Sequence, residues 1–211
     1  MTALAFELEL GREAGGSIAG VAVGIVKANN DPQRLGRVKL SLPWRKPDFV
    51  TDWVRILAPM GGKARGAYFL PEVGDEVLVA FERDDIRYPY VLGALWSEKD
   101  KPPEGNANKK NDIRIIKSRK GHMLRFDDAE AKGVITIQLS DGKKIEIDDD
   151  GIRITDKQNK VEIDSKGGAI AIEATTSLSL KAPKISIAAS GQLELKGGAS
   201  LSASATVVRI N

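Results

Sequence analysis

Between residues 143 and 164 the chain reads KKIEIDDDGIRITDKQNKVEID, and one apolar-polar-apolar word occurs there three times: Ile145-Glu146-Ile147, Ile152-Arg153-Ile154 and Val161-Glu162-Ile163. The word continues in both directions. Its apolar pairs are Ile135/Ile137, Ile145/Ile147, Ile152/Ile154, Val161/Ile163, Ile170/Ile172, Leu178/Leu180, Ile185/Ile187, Leu193/Leu195, Leu201/Ala203 and Val208/Ile210. Successive words start 10, 7, 9, 9, 8, 7, 8, 8 and 7 residues apart. The middle residue is mostly polar or charged, as in Thr136, Glu146, Arg153, Glu162, Ser179, Ser186, Glu194, Ser202 and Arg209. That alternation is the mark of a strand with one buried face. Gly151, Gly167-Gly168, Pro183, Gly191 and Gly197-Gly198 fall between words, where sharp corners are needed.

Eight extended residues reach only about 26 Å, one side of a prism rather than its perimeter. Three identical chains, each supplying a face, would close it and turn the paired Ile, Val and Leu toward a shared axis. Burial of each such side chain is worth roughly 1.5–3 kcal/mol, and a lone chain buries almost none of them. The pattern therefore predicts that residues 113–211 form a trimer-dependent, triple-stranded β-helix. A low-complexity tail, suggested by SLSASAT (200–206), does not account for ten regular words. An ordinary antiparallel sheet is the other alternative, and the near-constant short period argues against it.

The first half has a different pattern. Val21, Val23 and Ile25 alternate, as do Val38, Leu40 and Leu42, then Val54 and Ile56, then Val77, Val79 and Phe81; VLGAL (91–95) is apolar on both faces. The segments DPQRLG (31–36), PMGGKARG (59–66), PEVGD (71–75) and RDDIRYP (83–89) separate these five strands. Five short strands within one small domain predict an OB-like barrel over 18–97. All three Trp and all three Tyr precede residue 97, so the bulky core belongs to this half. SEKDKPPEGNANKKND (97–112) has the composition of an exposed connection, placing a linker at 98–112. The opening residues 1–17 remain a separate, acidic or amphipathic segment.

Composition narrows the chemistry. The chain has 211 residues, 42% hydrophobic and 29% charged, with a net charge of +3, too small to name a partner. It has no cysteine, which removes disulfides, thiolate zinc sites and thiol nucleophiles. MTALAFELELGREAGG carries acids where a secretory signal carries bases, and no apolar run approaches the roughly 20 residues of a membrane span. Synthesis in a cytoplasm without a signal peptide is the expectation.

Taken in order, GRVKLSLPW (36–44), WVRILAPMGGKARGAYFLPEVGDEVLVAFERDD (53–85), RYPYVLGALW (87–96) and IRIIKSRKGHMLRFDD (113–128), ahead of the I-x-I repeat, resemble the central spike family of contractile tails. That family includes phage baseplate assembly protein V and the spike region of VgrG. The resemblance implies an all-β homotrimer, with three OB-fold barrels at the base and an intertwined triple-stranded β-helix needle ending in a narrow tip. It further implies mounting on a hub above the inner tube, puncture of a target envelope on contraction, and membership of a virion baseplate or extracellular injection particle. Only about 18 residues precede the barrel, so a separate hub protein is expected, with residues 1–17 as a possible hub contact. The terminal VVRIN, with Val207, Val208 and Ile210, suggests docking of a separate PAAR-type tip protein.

The expected chemistry is structural: no enzyme activity, no cofactor and no metal. His122 could meet its symmetry mates as a three-imidazole site, yet Met123 and Phe126 beside it favour a structural transition. Asp127-Asp128 and Asp148-Asp149-Asp150 lack calcium-loop spacing and read as solvated corners. GGKARG (61–66) lacks the phosphate-loop pattern and reads as a barrel loop. A single-stranded nucleic-acid-binding barrel is the rival, because Lys27, Arg34, Arg37, Lys39, Arg45, Lys46, Arg55, Lys63 and Arg65 outnumber Asp31, Asp48 and Asp52, and Trp44 and Trp53 offer stacking surfaces. That reading leaves the repeat unexplained, so no nucleic acid is expected. A tail fibre or adhesin shares a needle but ends in a receptor-binding head.

Overall fold

A computed structural model describes residues 20–45 and 49–209. The opening segment 1–17 and the tip residue Ile210 lie outside the described residues. The chain divides between Lys109 and Lys110 into two compact units.

The first unit contains β1 (Val21–Ala28), β2 (Lys39–Ser41), β3 (Arg55–Ile56), β4 (Gly61–Gly62), β5 (Arg65–Gly66), β6 (Glu76–Phe81) and β7 (Pro89–Leu95). Five of them form one sheet in the order β2-β1-β6-β7-β3, with β3 parallel to β7 and the other pairs antiparallel. Bridges Val38 to Val54 and Ser41 to Val50 join the two edges, so the five strands close into an OB-like barrel. Its interior is Val26, Val38, Leu40, Leu42, Val54, Val77, Val79, Phe81 and Val91. Most of these are the inward members of the predicted alternations.

β1 departs from its apparent pattern. Val21 and Val23 face outward, and the inward positions are Ala22, Gly24 and Val26. The cause is space: a Cβ at Gly24 would stand 3.1 Å from Val79 Cγ2 and 3.4 Å from Leu40 Cδ1. Where the barrel wall approaches this closely, glycine is the residue that fits, and the outward valines imitate a core face.

Asp31 fixes the loop after β1. Its carboxylate accepts from the Gln33 and Leu35 amides at 3.0 and 3.1 Å and from Arg37 Nε and Nη2 at 2.8 and 2.9 Å. These bonds hold a turn in which Arg34 and Gly36 both have positive φ. Asn29 Nδ2 ties the same end of the barrel to the Pro71 carbonyl at 2.9 Å.

The second unit is a meander of β8 (Ile113–Lys117), β9 (Met123–Asp127), β10 (Val134–Gln138), β11 (Lys144–Asp148), β12 (Gly151–Thr155), β13 (Asn159–Asp164) and β14 (Ala169–Ala174). Each strand pairs antiparallel with the next, giving a seven-stranded sheet. The all-β expectation holds, and the pairing inside the first half of the repeat is a finding. Words 135 to 172 pair within the chain, in the antiparallel arrangement that the short period argued against. Strands of five or six residues joined by turns such as 149–150 and 156–158 reproduce the same spacing. Beyond β14 the described residues, through 209, form no further strand within the chain.

Candidate functional site

The meander register places the repeat words opposite one another. Ile135 pairs with Ile147, Ile147 with Ile152, Ile152 with Ile163, and Ile163 with Ile170. In the second column Ile137 pairs with Ile145, Ile145 with Ile154, Ile154 with Val161, and Val161 with Ile172. Two parallel ladders of β-branched side chains thus run across one face of the sheet. Cross-strand pairs of this kind reinforce the ladder locally. The face is nonetheless uncovered: Ile137 is 51% exposed, Ile154 48% and Ile170 71%.

Both ladders extend further than the word count shows. Phe126 stands opposite Ile135, Leu124 opposite Ile137, and Ile116 opposite Leu124. The triplet Leu124-Arg125-Phe126 is the same word lying within the linker-to-needle transition, and it was the available sequence signal. The structure brings together the first ten expected axis residues, from Ile135 to Ile172. Leu178, Leu180, Ile185, Ile187, Leu193, Leu195, Leu201, Val207 and Val208 lie on exposed chain outside that sheet.

The opposite face carries the word centres, with charges of alternating sign. Thr136, only 6% exposed, is followed across the strands by Glu146, Arg153 and Glu162. Lys144 pairs with Glu146 at 2.8 Å and Lys160 with Glu162 at 2.5 Å. The Asp148 side chain is 1% exposed, held by Arg153 and by Lys132 Nζ at 3.0 Å, and it accepts from the Asp150 and Gly151 amides at 2.9 and 3.1 Å. The Arg153 guanidinium, aided by Lys132 and those amides, holds the Asp148 carboxyl well below its ordinary value despite burial. Within this corner the Asp148 carboxylate is therefore buried and ion-paired, a departure from the solvated reading, whereas Asp149 is exposed and Asp150 partly so. Asp150 bonds Lys132 and pairs with Lys166 at 2.5 Å, so the corner ties three connections together.

The remaining candidates have structural contacts. Ser140 N donates to His122 Nδ1 at 3.2 Å, and the His122 amide donates to Ser118 Oγ at 3.1 Å, pinning the β8–β9 turn to the β10–β11 turn. Asp127 pairs with Arg125 at 2.9 Å and Asp128 with Arg114 at 3.0 Å. The GGKARG loop is the hairpin β4–β5. On the barrel, Lys39 Nζ lies 5.5 Å from the Trp53 ring centre, and Trp44 packs edge-on against Phe81 at 6.5 Å. Each ring thus contacts a barrel side chain, and Trp44 remains 47% exposed.

Residues 22–96 match the family model of the type VI secretion system/phage-baseplate injector OB domain. Residues 113–211 match that of the phage baseplate V C-terminal trimerisation domain. Among curated relatives, the type VI secretion system spike protein VgrG2a of Pseudomonas aeruginosa is 31% identical over 106 residues, 46% of this chain and 12% of the relative. VgrG5 of the same organism is 33% identical over 111 residues, 48% of this chain and 14% of the relative. VgrG3 of Vibrio cholerae is 31% identical over 72 residues, 32% and 7% respectively. The chain thus spans about an eighth or less of the length of the VgrG2a and VgrG3 relatives. A barrel matched as the injector OB domain, followed by an apolar-laddered repeat matched as the trimerisation domain, makes this chain a member of the phage-baseplate and type VI secretion spike family.

Proposed function

We propose that the chain is the non-enzymatic, homotrimeric central spike of a contractile injection machine. Its barrel (18–97) mounts on a hub, residues 98–112 connect, and 113–211 form the needle that crosses a target envelope on contraction. The observation that carries this reading is the pair of exposed apolar ladders from Ile135 to Ile172, lying in a segment matched as a trimerisation domain. A single sheet with one greasy face is not a stable end state in water. Three copies facing inward would bury the ladders against one another and leave the Glu146-Arg153-Glu162 face in solvent.

In this reading the axis core is Ile135, Ile137, Ile145, Ile147, Ile152, Ile154, Val161, Ile163, Ile170 and Ile172, continued by Leu178, Leu180, Ile185, Ile187, Leu193, Leu195, Leu201, Val208 and Ile210. Residues 175–209, which form no strand within one chain, pair between copies and produce the thin intertwined part. Val207, Val208 and Ile210 then offer an apolar end to a PAAR-type tip protein. A dry axis gives stiffness, which a needle under axial load requires.

The test is the mass of the full-length protein by light scattering, compared with a chain ending at Lys109. Three chains for the full length and ready dissociation of the truncated form support the proposal. A compact full-length monomer overturns it.

A further inference from the structure

The seven-stranded sheet separates charge by side. On the face that carries the word centres, Asp127, Asp148 and Asp164 occupy the row at one end of the strands. Lys117, Lys144 and Lys160 occupy the row at the other end. The turns repeat the division. Asp128, Glu130, Asp149 and Asp150 lie on the first side with Lys132 and Lys166, whereas Arg119, Lys120, Lys143 and Lys157 lie on the second with Asp141 and Asp156. Glu173, in β14, is the exception. The two sides stand a strand length apart, about 17 Å, which is beyond the screening length in ordinary salt. Neither side therefore neutralises the other within one chain. Glu130 and Asp149 on the acidic side, and Lys120 and Lys157 on the basic side, are exposed and hold no side-chain hydrogen bond or salt bridge among the described residues.

We propose that the two sides meet between copies: the acidic side of each sheet docks against the basic side of the next copy, closing three equivalent corners with ion pairs. This rests on the homotrimer proposed above and adds what determines the arrangement of its chains. The uncovered ladders require an inward face, and the segregated charge selects the neighbour beside it. When three copies run the same way with their ladders inward, rotation by a third of a turn brings an acidic side to a basic side at every corner. Inverting one copy puts acid against acid at one corner and base against base at another. A heterologous contact of this kind closes into a ring, and the like-charge penalty rejects the inverted alternative.

The test reads subunit exchange in the full-length protein. Isotope-labelled and unlabelled trimers are mixed in urea at a concentration where the wild type exchanges over hours, and the masses of intact trimers are followed. Lys120→Glu with Lys157→Glu should exchange at least roughly tenfold faster than the wild type, as should Glu130→Lys with Asp149→Lys, even at the modest worth of an exposed ion pair. All four changes in one chain restore opposite charges at every corner, so exchange should return to within about threefold of the wild type. Because the two sets are a sheet's width apart within one chain, such rescue arises only where copies meet. If a two-site variant does not assemble, recovery of a three-chain mass by the four-site variant supports the proposal, and its failure to recover overturns it. Two-site variants that exchange like the wild type also overturn it, as does a four-site variant no slower than the two-site ones. In each of these failures the wild type is still a trimer and the spike reading stands, whereas a monomeric wild type removes both.

Discussion

Gly151 lies beneath the carbonyl oxygen of Ile163, so close that a Cβ at position 151 would stand 1.8 Å from it. The glycine opens β12 with a φ of +155° and lets β13 approach, which is where the two ladders pass from one strand pair to the next. Gly151→Ala should therefore push β13 away and misalign Ile152 with Ile163. Gly142, with φ +96° and nothing within 4 Å of a Cβ, is the contrast. Gly142→Ala should cost about 1–2 kcal/mol, the strain of a left-handed alanine alone. Gly151→Ala should cost at least twice as much in chemical denaturation, and equal costs would refute the close-approach account.

A carboxylate in the ladder should prevent assembly. Ile154 faces Ile145 and Val161 across its neighbouring strands, so Ile154→Asp places three like charges on the proposed axis. Unpaired buried charges cost far more than a trimer contact of this size returns. Ile163→Asp should behave in the same way. Glu162→Gln, on the opposite face, should leave the mass near three chains. A stable soluble trimer of Ile154→Asp would remove the axis model.

The barrel was legible because its inward residues alternate strictly in β6 and around β2. Val77, Val79 and Phe81 could hardly face anywhere else. β1 was misleading for a local reason: Gly24 occupies the tight inward position, so the conspicuous valines point outward. In the repeat, composition and spacing identified the apolar face but not its pairing, because a five-residue strand with a short turn has the same period whether the next strand belongs to the same chain or another. Asp148 was misread because sequence distance hides Lys132, which arrives from the turn before β10. The ladders' extension to Leu124 and Phe126 was written in the sequence but masked by the basic run before it.

Acid should loosen the needle through its buried corner. Asp148 is held below its ordinary value of 3.8, first by Arg153 and then by Lys132 and two amides. Its stabilising contribution is complete above that ordinary value and is lost only as pH falls below it toward the folded-state value. Asp31 in the barrel, held down chiefly by Arg37, follows the same sign. Thermal melts of the wild type should therefore be nearly flat in this respect from pH 7 to 5 and fall below pH 4. Asp148→Asn should lower the melting temperature at pH 7 and flatten the decline below pH 4. A variant whose acid profile parallels the wild type would show that other groups carry it.

Proteolysis should distinguish a loose tail from an interchain needle tip. Lys181, Lys184 and Lys196 are exposed on residues 175–209, which form no strand within one chain. If those residues pair between copies, their backbone is locked into strands and cannot enter a protease cleft without local unfolding. Trypsin should then cut the assembled wild type at these lysines at least tenfold more slowly than it cuts Ile154→Asp, which presents the same sites on an unassembled chain. Lys99 and Lys109 in the exposed connection serve as internal references and should be cut at similar rates in both. Equal cutting at Lys181 and Lys184 in the two proteins would mean that the last third of the repeat is not part of the needle, and that the trimer rests on residues 113–174 alone.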